Sequence, residues 1–388
     1  MRIVMIGQKG FPTLYGGIER HVEELSKNLT QSGHEILLYA RSWYTPKISE
    51  AVPGIKIIVT PTIHTKHLDA IVHTFTSTIH ALFQKPDVIH YHGVGPSLLS
   101  WIPRIFLPRT IVVATFHCID RYHQKWGPMA RWFLKLGEKS ACYFPHQTIS
   151  VSKTIQNYCL NEYHEMTVFV PNGVTLQPAP STASLAAWNV EPNKYVLMVT
   201  RLVKHKGAHY LIKAWGAARR LSPLLMHQYK LVIVGGSAFT DDYVAELRNM
   251  AKGDASIIFT GWQSGAKLDA LYANTRLLVH PSENEGLPLT ILQAMAAGRA
   301  VLASDIPEHQ EVISDSRFWF HNTNVESLTH KLITLLEQPA LLDKAGEANR
   351  QTALKDYQWC DITKKVAALY TAPLAGRTLA PKLKTAGV

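Results

Sequence analysis

The sequence predicts an α/β protein made of two consecutive domains, each with a parallel sheet and crossover helices. Short apolar runs typical of strands alternate with segments of helical periodicity along almost the whole chain. A stretch rich in Pro, Ala and Ser at residues 176–194 interrupts this alternation, which then restarts with another strand. The length of 388 residues is sufficient for two hydrophobic cores of ordinary size.

The first half predicts a sheet of seven strands. A helix follows the first strand, because Ile18, Val22, Leu25 and Leu29 recur at helical spacing. The predicted strands are residues 3–6, 36–40, 55–59, 88–91, 111–116, 148–151 and 168–170, and the other helices are 67–84, 127–141 and 152–163.

The second half repeats this order of elements. The predicted strands are residues 195–200, 230–234, 257–260 and 277–280, and the predicted helices are 207–221, 241–251, 265–273, 325–337, 340–355 and 358–371. We therefore predict an N-terminal domain at 1–178, a linker at 179–193 and a C-terminal domain at 194–357. Residues 358–372 form a helix that is a candidate to cross back to the first domain, and 373–388 are predicted to be a flexible tail.

Composition favours a cytoplasmic location. No run approaches the ~20 apolar residues that a membrane span needs, and the opening residues resemble a first strand rather than a leader. The four cysteines, Cys118, Cys142, Cys159 and Cys360, lack metal or redox spacing and are expected to be reduced.

The net charge of +11 is concentrated at residues 101–140 and at residues 361–388, where five basic side chains accompany one acidic side chain. Residues 101–140 carry seven basic and two acidic side chains. Aromatic residues such as Trp126, Trp132 and Phe133 lie among the basic ones. A basic amphipathic surface at 101–139 would suit an anionic membrane. The alternative is that Trp132, Phe133 and Leu136 face the core while the cations are solvated. No nucleic-acid-binding module is recognisable, so nucleic acid is not an expected partner.

Residues 277–303 predict a strand, a loop and a helix that suit an anionic ligand. Pro288 is expected at the first helical position and Gly298 at the helix end. The free N–H groups of such a helix start favour a phosphate, whereas Glu285 in the same loop favours hydroxyl groups. We therefore expect a ligand with both, such as a nucleotide sugar. The alternative is an ordinary strand, loop and helix with a solvated Glu285.

Arg201 and Lys206 follow the first strand of the second half and precede a helix. Two cations at this place would neutralise a diphosphate leaving group, where developing charge makes a positioned cation most effective. A solvated basic loop is the alternative.

Two further features lie in the first half. Gly16 and Gly17 stand in a loop between the first strand and its helix, and the loop lacks the dinucleotide fingerprint. They allow close approach of a ligand to the backbone, although a simple turn is the alternative. His117 ends a predicted strand, at the edge where parallel sheets bind ligands. His90 and His92 share one strand face, but without a third ligand in sequence we expect them to be structural.

These motifs resemble the donor-binding signature of the retaining glycosyltransferases of family 4. The signature is carried here by Glu285, Gly286, Gln293, Ala294, Met295, Ala296, Gly298 and Val301. The segment from Arg201 to Gly207 is similar to the family's Arg and Lys-Gly element, and the Gly16-Gly17 loop to its glycine loop. Gln293 departs from the pattern, because the family usually has a second Glu there. His117 is followed by Cys118 where the family usually has Asp.

The resemblance implies the GT-B fold, in which two Rossmann-like domains face each other across a cleft. It implies catalytic roles for His117, Arg201, Lys206 and Glu285, and no metal or other cofactor. The residues implied to contact the donor nucleotide sugar are Gly16, Gly17, Arg201, Lys206, Glu285, Gly286, Leu287, Leu289 and Gln293.

We therefore predict transfer of a hexose or deoxyhexose, with retention of configuration, to a saccharide acceptor, lipid-linked by preference. The resemblance extends to bacterial enzymes of lipopolysaccharide and capsule assembly, including rhamnosyltransferase-like members. It also favours a peripheral position on the inner face of the plasma membrane. Two rivals remain, a sugar-nucleotide epimerase of the same fold and a non-catalytic nucleotide-sugar-binding protein.

Overall fold

The structure, a computed structural model, describes residues 1–46, 52–65, 68–122, 127–175 and 182–371. The chain divides into two compact units. The N-terminal unit comprises Met1–Asn172 together with the chain from Trp359, and the C-terminal unit comprises Gly173–Gln358.

The N-terminal unit is built on a seven-stranded parallel sheet, as predicted. Its strand order is β3-β2-β1-β4-β5-β6-β7. The central strands are buried along their whole length, because helices cover both faces of a parallel sheet. The strands are β1 (Arg2–Ile6), β2 (Glu35–Ala40), β3 (Ile55–Val59), β4 (Val88–His92), β5 (Ile111–Phe116), β6 (Gln147–Ser150) and β7 (Val168–Phe169).

Helices of this unit follow the strands in alternation. Helix α1 buries Val22, Leu25 and Leu29 in the core, which confirms the predicted apolar stripe. The six helices before Asn172 are α1 (Gly17–Gln31), α2 (Leu68–Leu82), α3 (Val94–Ser97), α4 (Trp101–Phe106), α5 (Pro128–Tyr143) and α6 (Lys153–Tyr163).

The C-terminal unit has a six-stranded parallel sheet of order β10-β9-β8-β11-β12-β13. Its strands are β8 (Tyr195–Val199), β9 (Lys230–Val234), β10 (Ile257–Gly261), β11 (Leu277–His280), β12 (Val301–Ser304) and β13 (Trp319–Phe320). Its helices are α7 (Ala208–Leu221), α8 (Pro223–Met226), α9 (Asp241–Met250), α10 (Gly265–Asn274), α11 (Leu289–Ala296), α12 (Pro307–Gln310), α13 (Val325–Leu336) and α14 (Pro339–Asp356).

The last helix, α15 (Trp359–Thr371), belongs to the N-terminal unit, where it packs on α1. Trp359, Ile362 and Val366 join the same hydrophobic core as the α1 stripe. Tyr370 donates or accepts a hydrogen bond with His90 Nδ1 at 2.8 Å, deep in that core.

Several boundaries differ from the sequence-based expectation. The N-terminal unit ends at Asn172 instead of 178. Within the predicted linker, Thr182–Trp188 forms a 3-10 helix that buries Leu185 and packs on α10. Strands β12 and β13, of four and two residues, were not predicted; they lie between Gly298 and residue 325, where no strand or helix was predicted. The predicted tail and Trp126 lie outside the described residues.

No helix among the described residues combines the length and apolarity that crossing a bilayer requires.

Candidate functional site

The C-terminal sheet brings two of the predicted ligand-binding loops together. The chain runs outward in one direction from β8 to β10 and in the other from β11 to β13. Strands β8 and β11 are parallel neighbours. The direction in which successive strands are added to the sheet reverses between these two strands. Parallel sheets bind ligands at the carboxyl ends of such a pair. Here those ends lead into Arg201–Lys206 and into Pro281–Glu285.

Contacts between the two backbones hold these loops side by side. The Glu283 N–H donates to the His205 carbonyl at 2.8 Å, and the Ser282 hydroxyl donates to it at 3.3 Å. Gly207 has φ of +74° and caps α7. A Cβ atom at Gly207 would stand 2.0 Å from the Pro281 carbonyl oxygen. Only glycine permits this conformation and this approach together.

Lys206 and Glu285 form the centre of the site. The Lys206 Nζ lies 2.5 Å from Glu285 Oε1, and the two side chains are 13% and 10% exposed. The same oxygen lies 2.7 Å from His280 Nε2 at the end of β11. Burial opposes ionisation of Glu285, but the Lys206 ammonium and His280 outweigh it and hold the carboxyl pKa well below its usual value. Glu285 is therefore a carboxylate at neutral pH.

Arg201 and Gln293 have unused hydrogen-bonding capacity. Arg201 is half-buried, and its guanidinium has no ion pair or hydrogen bond with any residue that the structure describes. The Gln293 amide, half-exposed on α11, likewise has no partner in the described chain. A half-buried cation without a protein carboxylate is well suited to an anionic ligand.

Helix α11 begins four residues after Glu285 in the sequence. It starts at Leu289, and Pro288 is the N-cap with ψ of 108°, so the prediction that Pro288 is the first helical residue was wrong by one position. Gly286 and Leu287 are buried in the preceding loop. Gly298, at φ of +71°, ends the helix as predicted.

Sequence reasoning missed three residues around Glu285. His280 contacts it directly, and the buried His309 ring lies 5.2 Å from the His280 ring. Burial, with the charge of Glu285 nearby, raises the pKa of Glu308 to about 7. Glu308 therefore exchanges a proton near neutrality. The position of His280 at the carboxyl end of β11 was the available signal.

The glycine loop of the N-terminal unit is built around a carboxylate. Gly16 has φ of +112°, and a Cβ there would stand 1.8 Å from Glu19 Oε2. Glu19 accepts a hydrogen bond from the Lys9 N–H at 3.2 Å, so it fixes the path of the loop after β1. Gly17 is the first residue of α1. Only glycine at position 16 leaves room for this arrangement.

His117 lies in a cluster of buried imidazoles. Its Nε2 is 3.3 Å from His92 Nδ1, and its ring packs edge-on against His21 with centroids 4.7 Å apart. Burial, reinforced by His21 and His90, holds the pKa of His117 well below its usual value. At neutral pH His117 is a neutral imidazole that hydrogen-bonds without carrying charge.

His90 is held by two hydroxyl groups in the core. Its Nε2 lies 2.7 Å from the Thr115 hydroxyl and its Nδ1 2.8 Å from the Tyr370 hydroxyl. Two groups bring possible metal ligands within 4.8 Å of one another, one of His21, His92 and His117 and the other of His280, Glu285 and His309. Protein partners already engage His92 and Glu285 in these groups. Independence from a metal stays a prediction.

Two aromatic side chains of α5 face outward, whereas Leu136 is half-buried. Trp132 is 58% exposed and Phe133 is 44% exposed. The alternative that these aromatic residues face the core is therefore wrong. Their neighbours Arg131 and Lys135 are also exposed.

Comparison with known proteins assigns the chain to a family. A family model described as Glycosyltransferase Family 4 matches residues 15–178. A second model, described as Glycosyl transferases group 1, matches residues 184–352. The first model matches most of the N-terminal unit and the second matches most of the C-terminal unit, so that together they cover most of the sequence. The chain belongs to the family 4 glycosyltransferases.

Two of the curated relatives of this glycosyltransferase span nearly its full length, and a third spans most of it. An uncharacterized glycosyltransferase of Methanocaldococcus jannaschii is 25% identical over 95% of the chain and 98% of that protein. The glycogen synthase of Mycobacterium tuberculosis is 24% identical over 97% of the chain and 96% of that protein. An O-antigen chain mannosyltransferase of Escherichia coli is 22% identical over 72% of the chain and 73% of that protein.

Solved structures confirm the predicted GT-B fold of this glycosyltransferase. Sucrose-phosphate synthase of Thermosynechococcus elongatus matches with a TM-score of 0.81 at 20% identity, covering 96% of the chain and 99% of that structure. The Anabaena protein HepE, in complex with UDP and glucose, matches with a TM-score of 0.76 at 19% identity, covering 96% of the chain and 100% of that structure. WaaG, a glycosyltransferase involved in lipopolysaccharide biosynthesis, matches with a TM-score of 0.73 at 17% identity, covering 96% of the chain and 100% of that structure.

Proposed function

We propose that this glycosyltransferase moves a hexose or deoxyhexose from a nucleotide-diphosphate sugar to a saccharide acceptor, with retention of configuration. The observation that carries the proposal is the Lys206–Glu285 pair at the carboxyl ends of β8 and β11. Arg201 lies in the same loop as Lys206 and has no ion pair among the described residues. Two cations and one carboxylate at this edge match a ligand with a diphosphate and hydroxyl groups. The HepE structure with UDP and glucose supports a ligand of this kind.

The cations act on the leaving group. Arg201 and Lys206 are proposed to bind the two phosphates, so that negative charge developing on the departing oxygen meets fixed positive charge. The same two side chains supply the charge that a divalent metal would otherwise bring. Glu285, ionised at neutral pH, accepts hydrogen bonds from hydroxyls of the transferred sugar. Gly286, Leu287 and Leu289 are proposed to shape the donor pocket at the start of α11.

The proposed transfer takes place on one face of the sugar. The acceptor hydroxyl oxygen forms a bond to the anomeric carbon on the side from which the diphosphate leaves. The bond from that carbon to the phosphate oxygen breaks, and the acceptor proton passes to this departing oxygen. Configuration is retained without a covalent enzyme intermediate. Gly16, Gly17 and the neutral His117 are proposed to contact the donor phosphates, the sugar or the acceptor.

We propose that the acceptor is lipid-linked and that the enzyme works in cell-surface polysaccharide assembly. The exposed Trp132 and Phe133 among basic residues support a peripheral position on an anionic membrane, through residues 101–139. An enzyme at the inner face of the plasma membrane would reach such an acceptor from the cytoplasm. The relatives with O-antigen and lipopolysaccharide functions are consistent with this class of acceptor.

Replacing Gln293 by Glu is expected to tighten donor binding. In the family pattern this position contacts ribose hydroxyls, and a carboxylate accepts from a hydroxyl more strongly than an amide. The Gln293→Glu variant should lower the donor Kd about five- to tenfold, equivalent to roughly 1 kcal/mol. Calorimetric titration with the nucleoside diphosphate measures this. An unchanged or raised Kd would remove Gln293 from the ribose contact.

Release of nucleoside diphosphate from a panel of nucleotide sugars, with and without a membrane lipid extract, tests the proposed function. Release that requires both one donor and the extract supports transfer to a lipid-linked acceptor. Consumption of donor without the extract would instead indicate an epimerase or a hydrolase. A folded protein that binds donors without turnover for any of them would be the non-catalytic alternative.

A further inference from the structure

A basic cavity opens on the surface of the N-terminal unit. Its volume is about 300 Å³, and it is lined by Arg121, Arg131, Trp132 and Lys135. Three of these four side chains are cationic. The volume is at the lower end of the range for small-molecule sites, which run from about 300 to 1,000 Å³. The cavity is therefore large enough for a phosphorylated head group.

Arg121 is fixed in the wall of this cavity by a buried carboxylate. Its Nε lies 3.2 Å from Oε2 of Glu138, a side chain with no exposed surface. Tyr158 and Tyr163 donate hydrogen bonds to the same oxygen at 2.7 Å and 2.6 Å. The Arg121 guanidinium also lies over the Tyr158 ring, 5.6 Å from its centroid. Such anchoring holds Arg121 in place before a ligand arrives.

The other two cations are exposed and only partly neutralised. Arg131 and Lys135 stand four residues apart on α5, so they project from the same face of the helix. Glu162 contacts Lys135 at 3.4 Å and Arg121 at 3.3 Å. Arg131 has no ion pair with any part of the chain that the structure covers. The cavity therefore keeps an excess of positive charge at its mouth.

The cavity also has an apolar component. Trp132 forms part of its wall, and Met129 on the same helix is 75% exposed. Exposed aromatic and aliphatic side chains beside cations bind molecules with an anionic head and an apolar tail. A free inorganic anion would gain nothing from this apolar part of the wall.

We infer that the cavity lined by Arg121, Arg131, Trp132 and Lys135 binds the phosphate or diphosphate head of the lipid-linked acceptor. The inference rests on the proposed function and specifies its acceptor as an alkyl phosphate or diphosphate. Arg131 binds phosphate oxygens through paired N–H groups, the anchored Arg121 and Lys135 add positive charge, and Trp132 packs on the first carbons of the tail. The cavity holds the acceptor by its head group and takes no part in bond making.

Titration of the full chain with decyl diphosphate, below the concentration at which the probe forms micelles, tests this inference. No donor is present, so the readout is binding alone. Arg131→Ala and Lys135→Ala should each weaken binding by about tenfold or more, since each removes a charge-assisted contact. Lys139→Ala is the matched control, because Lys139 is an exposed cation on the same helix that does not line the cavity. It should change the affinity less than twofold.

Inorganic diphosphate and Lys206→Met complete the experiment. Decyl diphosphate should bind more tightly than inorganic diphosphate, and Trp132→Ala should reduce that difference. Equal affinity for the two probes would contradict the inference that the bound phosphate group belongs to a lipid. Loss of binding in Lys206→Met, in a sample shown by circular dichroism to be folded, would place the probe in the donor site and overturn the assignment. An equal loss in Lys139→Ala and Arg131→Ala would overturn it as well. Because Lys206→Met is expected to lack transfer, unchanged binding in this variant separates failure of the cavity from failure of the proposed function.

Discussion

Replacing Lys206 by Met is expected to reduce kcat about 10²- to 10³-fold, the cost of removing one group that stabilises transition-state charge. The donor Kd should change much less, because the charge that Lys206 meets develops as the diphosphate leaves. Lys204→Met is the matched control, since Lys204 lies on the same 3-10 turn and is exposed. Steady-state kinetics with the preferred donor measures both parameters.

The same substitution leaves the nearly buried Glu285 carboxylate without its ammonium partner. Breaking a buried ion pair from one side costs about 3–5 kcal/mol in the free energy of unfolding, and the pKa of Glu285 should rise. Adding Glu285→Gln to Lys206→Met removes the uncompensated charge and should recover much of the stability without recovering turnover. Urea unfolding and kinetics on the three variants separate the two effects. Activity in the double variant equal to that of the unsubstituted enzyme would contradict the proposed roles of both Lys206 and Glu285 in transfer.

A methyl group at position 207 is expected to impair transfer through the position of Lys206. The Cβ of Gly207→Ala would stand 2.0 Å from the Pro281 carbonyl oxygen, so the two loops must separate. A displacement of about 1 Å in a positioned group can cost about 10²-fold in rate. We therefore expect kcat to fall by about that factor. Stopped-flow or steady-state assays at saturating donor measure it.

Gly253→Ala provides the matched control for this effect. Gly253 also has a positive φ, +86°, but a Cβ there meets no atom within 4 Å. Both variants incur the left-handed backbone penalty of about 1–2 kcal/mol, whereas only Gly207→Ala separates the loops. Equal kcat values for the two variants would show that the approach of Gly207 to Pro281 does not position Lys206.

The sequence predicted the sheets well because buried parallel strands are long apolar runs. Strands such as β5 and β9 were located to the residue, and the stripe on α1 identified its buried face. The short strands β12 and β13 lacked such a signal and were missed. The 3-10 helix at Thr182–Trp188 was concealed by a composition rich in Ala and Ser, because Leu185 is its only buried side chain.

The residues of the candidate site that belong to sequence motifs could be predicted. The contacts that depend on the packing of the fold could not. Lys206 and Glu285 were named from their motifs, but their direct contact depends on the pairing of β8 with β11. Glu308 belongs to no recognised motif, and only the fold places it near Glu285. His280 was marked in the sequence only by its place at the end of a predicted strand. The outward orientation of Trp132 could not be decided from sequence, because the spacing of α5 fits a buried or an exposed aromatic face equally well.

The stoichiometry of a complete reaction tests the central claim, which is sugar transfer from a nucleotide-diphosphate donor. Nucleoside diphosphate is quantified by chromatography and the glycosylated acceptor by mass spectrometry in the same sample, with the preferred donor and the lipid extract. We predict that the two products appear one for one, and that both are lost together in Lys206→Met. Nucleoside diphosphate without glycosylated acceptor, or an epimerised sugar as the sole product, would contradict the account.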